Sequence, residues 1–223
     1  MKKALLTLFS IVSVTIAAKA QDDKLVTLGI RAGGNYTTIT GKNATGDNLD
    51  YDYKVGYHAG ITADLYVFEG FYLQPALIYS TKGARKETSL VKETHEVSYV
   101  ELPVNILLKL GLGNGKLLLG AGPYAGYGIG GDRKETTGSL TIHHKNKFKN
   151  NLTAQDVIDR YNVLKRWDYG VNALAGYEFE GGFNFQLNAQ LGLNDLYPTN
   201  EYLQADKSSI KHFGVGLSVG YKF

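Results

Sequence analysis

Cysteine is absent from the 223 residues, so no disulfide braces the fold. Proline is scarce, at four residues. Beyond the first twenty positions there is no apolar run of about 20 residues, the length a helix needs to cross a bilayer. That excludes a membrane helix from the body of the chain. A true excess of positive charge is also missing. The formal net charge is +3, but Lys2, Lys3 and Lys19 lie in an opening segment that holds no acid. Without them the rest is formally neutral, and the electrostatic footprint of a nucleic-acid-binding protein is lacking. What abounds is glycine, at 27 residues, and tyrosine, at 16. That balance suits a β protein with tight packing and aromatic belts.

The opening "MKKALLTLFSIVSVTIAAKA" has a basic start, an apolar run from Ala4 to Ala18 and a small-x-small end at Ala18-Lys19-Ala20. It reads as a signal peptide over residues 1–20, cleaved before Gln21. A membrane anchor is the alternative, but the run is short for a span. No cysteine follows it to carry a lipid. The mature chain, 21–223, is of a length for one domain.

The stretch "GFNFQLNAQLGLN" at 182–194 alternates strictly: Phe183, Phe185, Leu187, Ala189, Leu191 and Leu193 on one face, polar residues and Gly192 on the other. A period of two means an extended strand with one apolar face. Similar alternation predicts eight strands, at 25–37, 53–68, 71–84, 95–110, 116–130, 165–179, 183–195 and 209–223. Their connections alternate in length. The turns at 69–70, 111–115 and 180–182 are tight, whereas 38–52, 85–94, 131–164 and 196–208 are long.

Two barrels fit such strands. A soluble, lipocalin-like barrel would turn its apolar face inward. A membrane barrel would turn it to lipid, with short turns on the periplasmic side, long loops outside and both termini in the periplasm. Three features favour the membrane barrel. Glycine crowds the polar faces, above all in 116–130 and 209–223, as a narrow lumen requires. The apolar faces carry almost no charge. Aromatics collect at the strand ends: Phe68, Phe71, Phe179, Phe183, Tyr221 and Phe223 beside the short turns, and Tyr36, Tyr53, Tyr57, Tyr79, Tyr127, Trp167 and Tyr169 towards the long loops. The expected fold is an all-β, eight-stranded, antiparallel up-and-down transmembrane barrel in the outer membrane.

Two segments sharpen this: "LQPALIYSTKGA" at 73–84 and "YVELPVNILLKL" at 99–110. A strand ending in Ser-x-Lys-Gly, followed by Tyr-x-Glu-x-Pro in the next strand, resembles the outer-membrane β-barrel family of Bacteroidetes labelled PorT-like or "porin family". The resemblance extends over "GAGPYAGYGIGG" at 120–131 and implies the same fold and compartment. One class in that family takes part in type IX protein secretion, so a role in a secretion or transport machine is the functional alternative that the resemblance raises.

Alternation places Arg31, Tyr99, Glu101, Tyr124, Arg166 and Asp168 in the lumen as a polar network, with Lys54, Asp64, Lys82, Lys109 and Glu178 as further inward candidates. Facing charges in a narrow lumen should pair, and eight strands leave an interior that side chains just fill. A plugged lumen is therefore expected rather than a pore. The histidines form no His-x-x-x-His pair and no Gly-x-Ser-x-Gly elbow exists, so neither a metal site nor a catalytic triad is expected. No cofactor is implied. The chain reads as a non-enzymatic scaffold, a lipid-modifying enzyme being the less favoured reading.

Contacts should concentrate in the long loop 131–164. Its basic run, with His143, His144, Lys145, Lys147 and Lys149, could meet lipopolysaccharide phosphates, other outer-membrane lipid or an envelope protein. A monomer is expected. Thr153 and Asp156 have the spacing of a helix start, after which Val157, Ile158 and Tyr161 would cover the barrel mouth.

Overall fold

The computed structural model describes residues 25–88, 90–153, 155–156, 163–200 and 207–223. Eight long strands form the ring: β1 (Val26–Lys42), β2 (Asp52–Phe68), β3 (Phe71–Glu87), β4 (Val91–Leu112), β5 (Gly115–Thr137), β9 (Trp167–Phe179), β10 (Phe183–Gly192) and β11 (Ser209–Lys222). Three shorter strands lie between β5 and β9: β6 (Leu140–Lys145), β7 (Lys147–Phe148) and β8 (Val163–Leu164). Each long strand pairs antiparallel with its neighbours, and β11 returns to β1 from Gly29↔Lys222 to Lys42↔Ser209. Closure leaves the ring no open edge.

The direction of the two faces is settled by what is buried. Val55, Ile61, Ile106, Leu187 and Leu217 are each more than half exposed, while Gln74, Asn105, Asp64 and Gln186 are buried at 2% exposure or less. Apolar outside and polar inside is the reverse of a water-soluble barrel, and it is the arrangement lipid requires. Two aromatic girdles flank the belt. Tyr36 stacks on Tyr53 at 4.6 Å and Trp167 on Tyr169 at 5.8 Å at one end. Phe68 stacks on Phe71 at 4.5 Å at the other.

The three tight turns, the start of β1 and the end of β11 share one end of the barrel. Each tight turn uses a glycine at positive φ: Gly70 at +76°, Gly113 at +58°, and Gly181 and Gly182 at +94° and +91°. In the lumen, glycine answers to space. A Cβ on Gly170 would stand 2.6 Å from the Tyr124 ring.

The long loops are shorter than expected. β1 runs on to Lys42, β3 to Glu87, β4 starts at Val91 and β5 continues to Thr137, where it turns into β6. Residues 131–137 and 140–145, expected as loop, are therefore strand. Beyond the lipid belt both faces meet water, so the alternation that reveals a strand disappears there although the backbone ladder persists. In the other direction, β10 ends at Gly192 and β9 begins only at Trp167.

Candidate functional site

The lumen holds two ion-pair clusters. In the lower one, nearest the short turns, Asp64 accepts from Lys222 Nζ at 2.6 Å and from Gln74 Nε2 at 2.8 Å, and Lys109 Nζ bridges Asp64 at 2.8 Å and Glu178 at 2.9 Å. In the upper one, Lys82 Nζ lies between Glu101 at 2.7 Å and Asp168 at 3.1 Å, over the ring of Tyr124 at 4.5 Å. Tyr124 donates its hydroxyl to Asp168 at 3.1 Å, His212 Nδ1 stands 3.2 Å from the same carboxylate, and Gln190 donates to Glu101 at 3.0 Å. Between the clusters, His58 bridges Asn35 and Ser218 at 2.7 Å each, and Arg31 donates to Gln186 at 3.3 Å.

Among the described residues, the two clusters and the layer between them set four cations, Arg31, Lys82, Lys109 and Lys222, against four anions, Asp64, Glu101, Asp168 and Glu178, and the buried Lys54 pairs separately with Glu96 at 2.6 Å. Burying any one alone would cost several kcal/mol; together they compensate. The residual cavity in the middle, lined by Arg31, His58, Glu101 and Gln190 among others, measures about 50 Å³. That is room for a few water molecules and no solute.

Above the upper cluster the lumen changes character. Val97, Tyr99, Leu164 and Leu196 form a buried apolar cluster, against which Phe148 and Ile210 pack. It lies across the long-loop end of the ring. Tyr99 therefore belongs to two layers, its ring facing His212 at 5.7 Å below and aliphatic side chains above.

Of the residues assigned to the lumen from sequence, Arg31, Tyr99, Glu101, Tyr124 and Asp168 are brought together there. Arg166 is not, which corrects the sequence reading. The chain bends at 165–166 before β9 begins, so the strand parity that would turn Arg166 inward does not reach it. Its side chain is exposed, donates to the Tyr127 hydroxyl at 2.8 Å and lies over the Tyr127 and Phe148 rings. His212 was missed as a member of the upper cluster. Its inward position follows from alternation in β11, but its proximity to Asp168 comes from the curvature of the ring, for which sequence carries no signal.

The segments that carry the family resemblance meet in this cluster. Lys82 lies near the end of the first and Glu101 lies in the second, and their side chains form the 2.7 Å pair, with the Tyr99 ring 5.4 Å from the ammonium. The motif is a buried lumen contact between β3 and β4.

The basic loop candidates part company. His143 and Lys145 are exposed on β6, His143 lying 3.4 Å from Asp132, while His144 points the other way and is half-buried. Lys147 is half-buried in β7. Lys149 is not the free cation expected of it. It pairs with Asp156 at 2.6 Å, and Asp156 also exchanges hydrogen bonds with Thr153: its carboxylate accepts from the Thr153 hydroxyl at 2.6 Å and its amide donates to that hydroxyl at 3.3 Å. The carboxylate also accepts from the Thr153 backbone amide at 3.0 Å, and with the Asp156 amide donating to the Thr153 hydroxyl this makes the reciprocal cap of a helix start. Lys149 and Thr153 together hold the Asp156 carboxyl well below the usual range. Val157, Ile158 and Tyr161 lie outside the described residues.

A closed ring of eight antiparallel strands with a lipid-facing belt leaves one question, that of kinship. The sequence model of the outer membrane protein beta-barrel domain matches residues 19–197, most of the chain. The chain belongs to that family. It is a small outer-membrane β-barrel. No curated protein sequence matches it. Among solved structures it is similar to Ail, the attachment invasion locus protein of Yersinia pestis, at 12% identity and a TM-score of 0.38 over 88% of this chain and 98% of that one. It is similar to Neisserial surface protein A at 11% identity and a TM-score of 0.41, covering 88% and 97%. It is also similar to the outer membrane protease OmpT of Escherichia coli at 12% identity and a TM-score of 0.40, covering 91% and 98%. At these scores the likeness carries no argument about activity.

Proposed function

We propose that this barrel is a closed, non-enzymatic scaffold that makes its contacts at its outer end and conducts nothing through its lumen. The observation that carries the reading is the filled interior: paired charges with a cavity of about 50 Å³ between them, under an apolar cluster. The Asp168–His212 pair has the chemistry of a base and its orienting group, but both side chains are buried at 2% exposure or less, where no substrate reaches them. In this reading the short turns and both termini face the periplasm. The exposed His143 and Lys145 on β6 stand ready for phosphate-bearing outer-membrane lipid or an acidic envelope protein. A monomer suffices. Membership of the Bacteroidetes PorT-like group, and with it a part in a secretion machine, belongs to the same proposal; that part too would be played through outer surfaces.

A photoreactive maleimide on Lys145→Cys or Asn114→Cys tests this in intact cells, since the chain has no cysteine of its own. Labelling and cross-links to envelope components are expected from position 145. Labelling from position 114 alone would reverse the orientation and remove the proposal's contact surface.

A further inference from the structure

The outer end of the barrel contains a second cavity, of about 210 Å³, unlike the polar one in the lumen. Its apolar walls are Ile39 from β1, Val97 from β4, Leu164 from β8 and Ile210 from β11, and His95, Asn43 and Ser208 add polar groups to the lining. Val97 and Leu164 belong to the buried cluster with Tyr99 and Leu196 that lies between it and the charged lumen. The cavity lining includes the exposed Lys42 at the end of β1 and the exposed Asn43 and Ala44 of the segment that follows. The Lys42 side chain has no ion pair among the described residues, while its backbone amide is fixed by donating to Ser209 Oγ at 3.1 Å. Tyr51 closes one side, held edge-on against His95 at 5.5 Å.

These features select a ligand. Mouths of β-barrels are a favoured place for small-molecule sites, in which mostly apolar walls carry a few polar groups that orient the ligand. Aliphatic walls return little for the lost hydration of a sugar or a peptide backbone, which disfavours both. The volume limits size. A cavity of about 150 Å³ takes benzene, so this one takes a single ring with a short chain and is too small for a long acyl tail. The cation at the rim favours a negative group left at the opening.

We infer that the outer mouth of this barrel binds a small aromatic or short-chain monocarboxylate, its apolar body between Ile39, Val97, Leu164 and Ile210 and its carboxylate towards Lys42. The inference rests on the reading that the outer end makes the contacts, and it adds the class of ligand. The two can fail separately, because the outer contacts are read by labelling and cross-linking and ligand binding as heat.

The test is calorimetry of the full barrel in nanodiscs, with empty nanodiscs subtracted, using hydrocinnamate and its neutral counterpart hydrocinnamyl alcohol. The acid should bind saturably with a Kd of about 0.1–1 mM, ordinary for a ligand of this size. Val97→Phe, which fills the cavity, should abolish binding of both compounds. Because that variant disturbs a buried position, Lys42→Gln on the exposed rim provides the second arm. It should weaken the acid by about two- to fivefold at low salt, the scale of an exposed charge pair, and leave the alcohol unchanged. Absence of saturable binding above empty nanodiscs would overturn the inference. So would a folded Val97→Phe barrel that binds like the parent, or an acid affinity indifferent to Lys42.

Discussion

At the scale of single residues, the side of the wall that a side chain occupies decides its effect on the barrel. Leu187 is 63% exposed in the middle of β10 and faces Leu217 across the β10–β11 pair. Leu187→Arg would bring a charge to the bilayer midplane and should destabilise the barrel by roughly 2–4 kcal/mol, read from unfolding in lipid vesicles. Lys82 tests the inside. It is buried between Glu101 and Asp168, so Lys82→Met leaves two carboxylates without their shared cation. A loss of about 3–5 kcal/mol is expected. Replacing Glu101 and Asp168 by Leu in the same chain should recover much of it, since the cost lies in the unpaired charge rather than in the missing bond. A Lys82→Met barrel as stable as the parent would show that water already screens the cluster. The inward positions of Glu101 and Asp168 are legible in sequence, because each sits in a strand with an unbroken apolar face opposite. Arg166 misleads for the converse reason: parity was extended through a bend that the sequence does not mark.

At the scale of elements, the part least legible in sequence is the extension of β4, β5 and β6 at the long-loop end. Val91–Val97 pairs with Gly131–Thr137, which pairs in turn with β6, and charged residues stand on both faces. Hydrophobic periodicity reports burial, and a strand wetted on both sides has none to report. Charge pairs add to the backbone ladder of this extension. His95 and Arg133 both approach Glu93, Arg133 Nη2 donating at 2.8 Å, and they lower the Glu93 pKa to about 2. The folded value lies below that of an unfolded glutamate, about 4.3. The contribution is therefore complete above pH ~4.3 and is lost as the pH falls towards 2. Glu93→Gln should flatten the pH dependence of unfolding between pH ~5 and ~2 relative to the parent. Equal slopes in the two proteins would mean that these contacts do not tie the extension down.

At the scale of the whole molecule, the barrel is an inside-out protein whose interior is filled by paired polar side chains. Its strand count, its closure and the grouping of its turns at one end were legible because each repeats around the ring: apolar alternation, then glycine-bearing short turns. The two-cluster lumen was legible only as an inventory of inward residues. Which cation meets which anion depends on the tilt and curvature of the wall, as the Lys82–Asp168 and Lys109–Glu178 contacts across the lumen show. The central claim is that these contacts, with the apolar cluster above them, close the path through the membrane. Single-channel recording in planar bilayers tests it most directly, with protein purified from cells that lack other porins. The account predicts the baseline of a protein-free bilayer, with no stable steps over the voltages the membrane survives. Reproducible steps of porin size would contradict it and would make transport through the lumen the function of this barrel.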